Sequence, residues 1–184
     1  MMRLLWPVLL SIGLLQGCAQ TGGIATDASS SERRSAQAVQ DDRNIEYTAR
    51  QRIAEKYRSN VQVGVTSFNR FVLLTGQVSD DAAKQGIERI VGGITSVKGI
   101  ANELHIERAA DIGLRRSDSG VSGDVRARFL ESKAFNRDHI KVYTEEGVVY
   151  LLGIVKRAEA DAASEIAATT RGVKKVVRVF EYMD

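Results

Sequence analysis

The chain has 184 residues, a formal net charge of +3 and a sequence pI ≈ 9.1, with 27% charged and 6% aromatic residues. One cysteine, Cys18, excludes an internal disulfide, and two histidines without cysteine partners at ligand spacing leave no ordinary zinc set. So small a charge excess without an aromatic stacking face argues against a nucleic-acid partner, and the length allows one ordinary domain or two small ones.

Arg3 gives a short positive start, and Leu4 to Leu15 is apolar throughout apart from Pro7, Ser11 and Gly13. That stretch is too short for a membrane span of roughly twenty residues but fits the apolar region of a secretory signal. "LQGC", Leu15 to Cys18, resembles the lipobox of bacterial lipoproteins. The resemblance implies cleavage after Gly17 and acylation of Cys18. Ala19 and Gln20 carry no retention aspartate, which implies the outer membrane, periplasmic face. Each buried methylene is worth about 0.8 kcal/mol, and two or more acyl chains anchor stably. Residues 1–17 are thus read as a signal peptide. Residues 18–40, rich in Ser, Thr, Gly, Ala and Gln, read as a lipidated, flexible tether.

The remainder is a repeat. A shift of 77 lays Val63–Glu88 over Ile140–Glu165 without a gap, matching Val65/Val142, Val72/Val149, Leu74/Leu151, Gly76/Gly153, Val78/Val155, Ala83/Ala160 and Glu88/Glu165. At a shift of 76, Ile45, Ala49 and Ile53 meet Val121, Val125 and Phe129, and Val97-Lys98 meets Val173-Lys174. The expected boundaries are 41–108 for the first unit, 109–119 for a linker and 120–184 for the second.

Each unit opens with apolar residues every fourth position, the mark of an amphipathic helix. Two β-branched runs follow around polar turns, "TSFNR" in the first copy and "TEEG" in the second, and read as hairpins. Ser79-Asp80-Asp81 looks like a helix N-cap for the Ala-rich stretch behind it, and "RAEADAASEIAATT" is its counterpart. A last strand closes each unit, "GIANELHIE" and "KKVVRVFEYM". The fold class is therefore α+β: two tandem α-β-β-α-β units, each with two helices on one small mixed sheet.

"VLLTGQV" and "VYLLGIV", the Ala-rich second helix and the Val-Lys turn before the last strand together resemble the BON domain of bacterial envelope proteins. A lipobox followed by two such units resembles the dual-BON outer-membrane lipoproteins. That resemblance implies a non-catalytic protein that supports outer-membrane integrity and contacts anionic phospholipid through its second unit. It implies no cofactor.

Between Arg108 and Lys141 lie eight basic residues (Arg108, Arg115, Arg116, Arg126, Arg128, Lys133, Arg137, Lys141) and five acids (Asp111, Asp118, Asp124, Glu131, Asp138). A helix carrying Arg126, Arg128 and Lys133 near Phe129, Leu130 and Phe135 is suited to an anionic surface, each cation contributing about 1 kcal/mol. Arg126, Arg128, Phe129 and Lys133 are the candidate phospholipid contacts; the competing reading packs Phe129 and Leu130 into the core. No catalytic or metal site is expected. Asp80-Asp81 diverge on a helix, the Gly92-Gly93 segment lacks a phosphate-loop ending, and His105 points outward from a strand. The leading alternative is a protein-interaction module whose exposed sheet or first helices dock envelope machinery.

Overall fold

The computed structural model describes residues 32–57, 61–106 and 112–184, with the stretch 112–117 described by its backbone alone. Cys18, the signal and most of the tether lie outside the described residues, as do Arg108, Asp111 and the side chains of Arg115 and Arg116.

The first unit comprises α1 (Ala36–Lys56), β1 (Val61–Phe68), β2 (Phe71–Val78), α2 (Asp81–Gly92), β3 (Gly99–Asn102) and β4 (His105–Ile106). The second comprises α3 (Ile112–Glu131), a single 3-10 turn (Arg137–His139), β5 (Ile140–Glu145), β6 (Val148–Val155), α4 (Arg157–Ala168) and β7 (Lys175–Tyr182). In each sheet the middle strand pairs antiparallel with its hairpin partner and parallel with the closing strand. In the first unit that closing strand is broken into β3 and β4 at Glu103, whose backbone N–H donates to the Leu74 carbonyl. The order α-β-β-α-β holds twice, as expected.

Two boundaries differ from the sequence reading. α1 begins inside the stretch taken as tether, because the Ser35 hydroxyl caps the Ala38 N–H (3.1 Å) and Ala38 is already buried. α3 begins inside the stretch taken as linker and runs through Gly113 and Gly120. The helical stretch includes Asp118, which is buried.

The turns are also tighter than "TSFNR" and "TEEG" suggested. Ser67 and Phe68 finish β1, leaving Asn69-Arg70 as a two-residue turn, and Glu146-Gly147 is its counterpart. All four residues have positive φ (52°, 68°, 52° and 80°). This is the backbone twist that joins strands most directly.

Alternation along the strands splits each sheet between two neighbours. Val65, Val72, Leu74 and Val78 face α1 and α2, where they pack with Ile45, Ala49, Ile53, Ile87 and Val91. Val142, Val149, Leu151 and Val155 do the same against Val121, Val125, Phe129, Ala160 and Ala163. On the opposite faces Phe68 and Leu73 of the first unit meet Tyr150, Leu152 and Ile154 of the second in a third core. β2 and β6 are therefore covered on both sides, and every residue from Val72 to Val78 and from Val149 to Val155 is buried. This removes the exposed sheet on which one version of the docking alternative relied.

Gly76 and Gly153 have one role in both copies. A Cβ at Gly76 would collide with the Gln62 carbonyl, and one at Gly153 would lie 2.5 Å from the His139 carbonyl. The adjacent strand can approach only because both side chains are absent.

Candidate functional site

The capping reading of Asp80 holds: its carboxylate accepts from the Ala83 N–H at 2.7 Å. The four candidate contact residues separate in space. Phe129 is 2% exposed and belongs to the second core, edge-to-face with Phe135 at a centroid distance of 5.0 Å. It lies inside the fold and presents no surface to lipid; an aromatic on the sheet-facing side of α3 is where burial gains most. Leu130, expected in the core by the competing reading, is instead 59% exposed.

Arg126 and Arg128 already have partners within their own domain. Arg126 donates to the Val142 carbonyl at 3.2 Å, and Arg50, 76 positions earlier, donates to the Val65 carbonyl at 3.2 Å. Arg128 donates to the Ile166 carbonyl (2.7 Å) and the Thr170 hydroxyl (2.8 Å), completing the C-terminus of α4. Arg52 points likewise at the Gly93 carbonyl, 3.5 Å away, at the end of α2. The repeat offset aligns these pairs in the sequence, so the signal for a structural role was present in the register. Arg126 remains largely exposed beyond its one bond, and Lys133 is exposed just past the end of α3.

A cleft of ≈ 500 Å³ opens between α1 of the first domain and α3 of the second. Five cations line it (Arg34, Arg43, Arg126, Arg137, Lys141) against three acids (Asp42, Glu46, Asp138), over an apolar lining that includes Val39, Phe68, Phe129 and Ile140. Lys141 spans the seam, its Nζ donating to Glu46 Oε1 (2.8 Å) and the Ser67 carbonyl (3.1 Å). Burial opposes the charge on Glu46, but the hydrogen bonds from Lys141 and the Ser67 N–H hold its carboxyl below the usual range. The Arg34 guanidinium sits 4.0 Å over the Phe68 ring and bonds Glu32 and Asp42. Burial would make Arg34 easier to deprotonate, yet the two carboxylates raise its pKa.

Beside the cleft a short strap ties the chain leading into α1 to the far domain. Arg33 grips Glu159 with two bonds (2.6 and 2.8 Å) and donates to the Ile154 carbonyl at 2.7 Å. Sequence reasoning missed it, since Arg33 lies in a stretch of tether composition and Glu159 more than a hundred residues away. No spacing rule pairs them.

The BON domain model matches residues 41–108 and 117–184. Over 176 residues the chain is 29% identical to the outer membrane lipoprotein DolP of Haemophilus influenzae, covering 92% of this chain and 91% of that protein. It is 31% identical over 126 residues to the 21 kDa hemolysin of Actinobacillus pleuropneumoniae, covering 68% of this chain and 65% of that protein. It is 28% identical over 120 residues to the osmotically-inducible protein Y of Escherichia coli strain K12, covering 64% of this chain and 60% of that protein. With the match spanning most of the sequence and one architecture built twice, the chain belongs to the BON-domain family and carries the domain in two copies.

Proposed function

We propose that the protein is an outer-membrane lipoprotein, held at the periplasmic face by acyl chains on Cys18, that binds anionic phospholipid without catalysing a reaction and supports outer-membrane integrity. The near-full-length similarity to a protein named as an outer membrane lipoprotein supports the location, together with the lipobox ending at Cys18. Among the described residues no helix is long and apolar enough to cross a membrane, so in this reading attachment falls to the acylated cysteine.

One observation carries the lipid reading. The C-terminal end of α3 presents Arg126, which lines a cleft richer in cations than in acids, with exposed Leu130 one turn later and exposed Lys133 beyond them. Leu130 supplies apolar area and the cations supply attraction to phosphate. Arg128 serves the end of α4 and Phe129 the core, so the contact set is Arg126, Leu130 and Lys133.

Co-sedimentation of the mature chain from residue 18, carrying Cys18→Ala, with vesicles of graded phosphatidylglycerol content tests this. Binding should rise with anionic lipid and fall about tenfold in Arg126→Glu/Lys133→Glu. Binding indifferent to both removes the lipid reading. Membrane fractionation of the acylated chain against Cys18→Ala tests the anchor: the variant should move to the soluble fraction.

A second reading, docking of an envelope protein on the first helices, is supported by Tyr47, an α1 aromatic 65% exposed. Crosslinking from position 47 that recovers a protein and leaves vesicle binding untouched would favour it.

A further inference from the structure

We infer that the cleft at the domain seam is a phosphodiester site built jointly by the two domains, holding the headgroup of one anionic phospholipid between Arg43 and Arg137. The inference rests on the lipid reading above and adds a specific site and a role for the first domain.

The cations of the cleft fall into two groups. Arg34, Arg126 and Lys141 are engaged: Arg34 with Asp42, Arg126 with the Val142 carbonyl, and Lys141 with Glu46. Arg43, on the exposed side of α1, forms no hydrogen bond or ion pair among the described residues. Arg137 has one exposed contact, 3.6 Å to its neighbour Asp138. The repeat offset gives Arg43 a serine as its counterpart, Ser119, so the fold common to both copies does not require a cation there.

The acids are spent in the opposite sense. Asp42 accepts from the Ser67 hydroxyl and from the Asn69 and Arg70 N–H groups, besides its bond to Arg34. Glu46 answers Lys141, Arg50 and the Ser67 N–H. Their charge is matched within the cleft wall, and the third acid, Asp138, meets only Arg137 through an exposed 3.6 Å contact. Five cations against three acids thus leave the lining with a positive excess, with Arg43 and Arg137, one from each domain, as its least engaged guanidinium groups among the described residues. Guanidinium forks suit phosphodiester oxygens, and ≈ 500 Å³ is the size of a small-ligand cavity. Val39, Phe68 and Ile140 offer the glycerol backbone an apolar wall.

The chain path points to the bilayer as the source. Arg34 lines the cleft while Arg33 is clamped to Glu159, so the segment arriving from the anchor enters the body at this seam. Even fully extended, the stretch from residue 18 to residue 32 reaches at most about 50 Å. A protein acylated at Cys18 therefore holds the cleft within about 50 Å of the headgroups, within reach of the bilayer.

The test titrates the mature chain carrying Cys18→Ala with phosphatidylglycerol vesicles, phosphatidylcholine vesicles and soluble glycerol 3-phosphate. Arg43→Glu, Arg137→Glu, their conservative Gln variants and Lys175→Glu, a charge-matched change remote from the cleft, are compared. Thermal melts confirm that each variant is folded. We expect Arg43→Glu and Arg137→Glu each to weaken binding to anionic vesicles about tenfold, the Gln variants less, and Lys175→Glu about twofold at most. Glycerol 3-phosphate should bind weakly, since it lacks the apolar part. If vesicle binding is intact but Arg43→Glu matches Lys175→Glu, the shared site is overturned while the α3 contact stands. If glycerol 3-phosphate binds as tightly as vesicles, the lipid source is overturned. If anionic vesicles do not bind at all, the lipid reading itself falls.

Discussion

Asp42 and Asp118 occupy the same place in the two halves of the molecule, each buried on the first helix of its domain with its carboxylate under the hairpin turn. Asp42 accepts from the N–H groups of Asn69 (2.9 Å) and Arg70 (2.7 Å), and Asp118 from those of Glu146 (2.6 Å) and Gly147 (3.0 Å). In each copy the helix thus locks a turn of positive φ that two ladder-free N–H groups would otherwise leave open. Charge-assisted bonds of this kind are worth about 1.5–3 kcal/mol. Asp42→Ala and Asp118→Ala should each lower unfolding free energy by about 2 kcal/mol in urea titrations. A loss under about 0.5 kcal/mol in either would show that its turn stands without the aspartate.

The glycines divide into two kinds. Gly153→Ala drives a methyl group to 2.5 Å from the His139 carbonyl, and Gly76→Ala adds a positive φ of 103° to a collision with the Gln62 carbonyl. Each should cost at least about 3 kcal/mol or abolish folding. Gly123, inside α3, has open space where a Cβ would go. Gly123→Ala should instead stabilise by about 0.5–1 kcal/mol, read as a rise in melting temperature.

Phe129 and Leu130 are neighbours in sequence with opposite assignments. Phe129→Ala empties part of the second core and should cost about 3–5 kcal/mol. Leu130→Ala should leave stability within about 0.5 kcal/mol and weaken binding to anionic vesicles. Parallel melts and co-sedimentation of the two variants separate packing from contact, and a stability loss in Leu130→Ala as large as that of Phe129→Ala would refute the division.

The strap predicts an acid response. The hydrogen bonds from Arg33 hold the Glu159 carboxyl down at about 2, against an ordinary value of 4.5. In this region the unfolded chain binds the proton that the folded chain refuses, so folded stability falls as pH falls. The contribution is complete above about pH 5 and disappears as pH drops towards about 2. Glu159→Gln should cost about 2 kcal/mol at neutral pH, with the gap to the parent closing across that window. A pH-independent gap in acid-unfolding curves would show that the pair is not what Glu159 contributes.

Much of this structure was legible because it is written twice. Ile45, Ala49 and Ile53 against Val121, Val125 and Phe129 gave the helix faces, and Gly76 against Gly153 marked the centre of each sheet. The unbroken apolar runs "FVLL" and "VVYLL" are of the kind that strands covered on both faces carry, but the sequence reading, with helices on one face and an exposed sheet, did not use them. What covers the second face was not legible, because Leu73 and Tyr150 meet through packing between units that local periodicity does not encode. The site was read less well for a related reason. Arg126 and Arg128 were grouped as surface cations by composition, whereas their alignment with Arg50 and Arg52 marks them as partners of strand and helix carbonyls. Arg43 escaped notice because nothing near it in the sequence marks it, and it acquires a partner cation only when the turn carrying Arg137 is laid beside α1.

The third core also bears on how such a protein can have arisen and how it can be cut. Each BON unit uses its twin as the lid over a hydrophobic surface, with Tyr150, Leu152 and Ile154 on one side and Phe68 and Leu73 on the other. A duplicated gene whose products settled back to back in this way would have lost the option of solitary life. Expressing either half by itself should yield sticky, self-associating material, and the smallest soluble fragment should contain both halves.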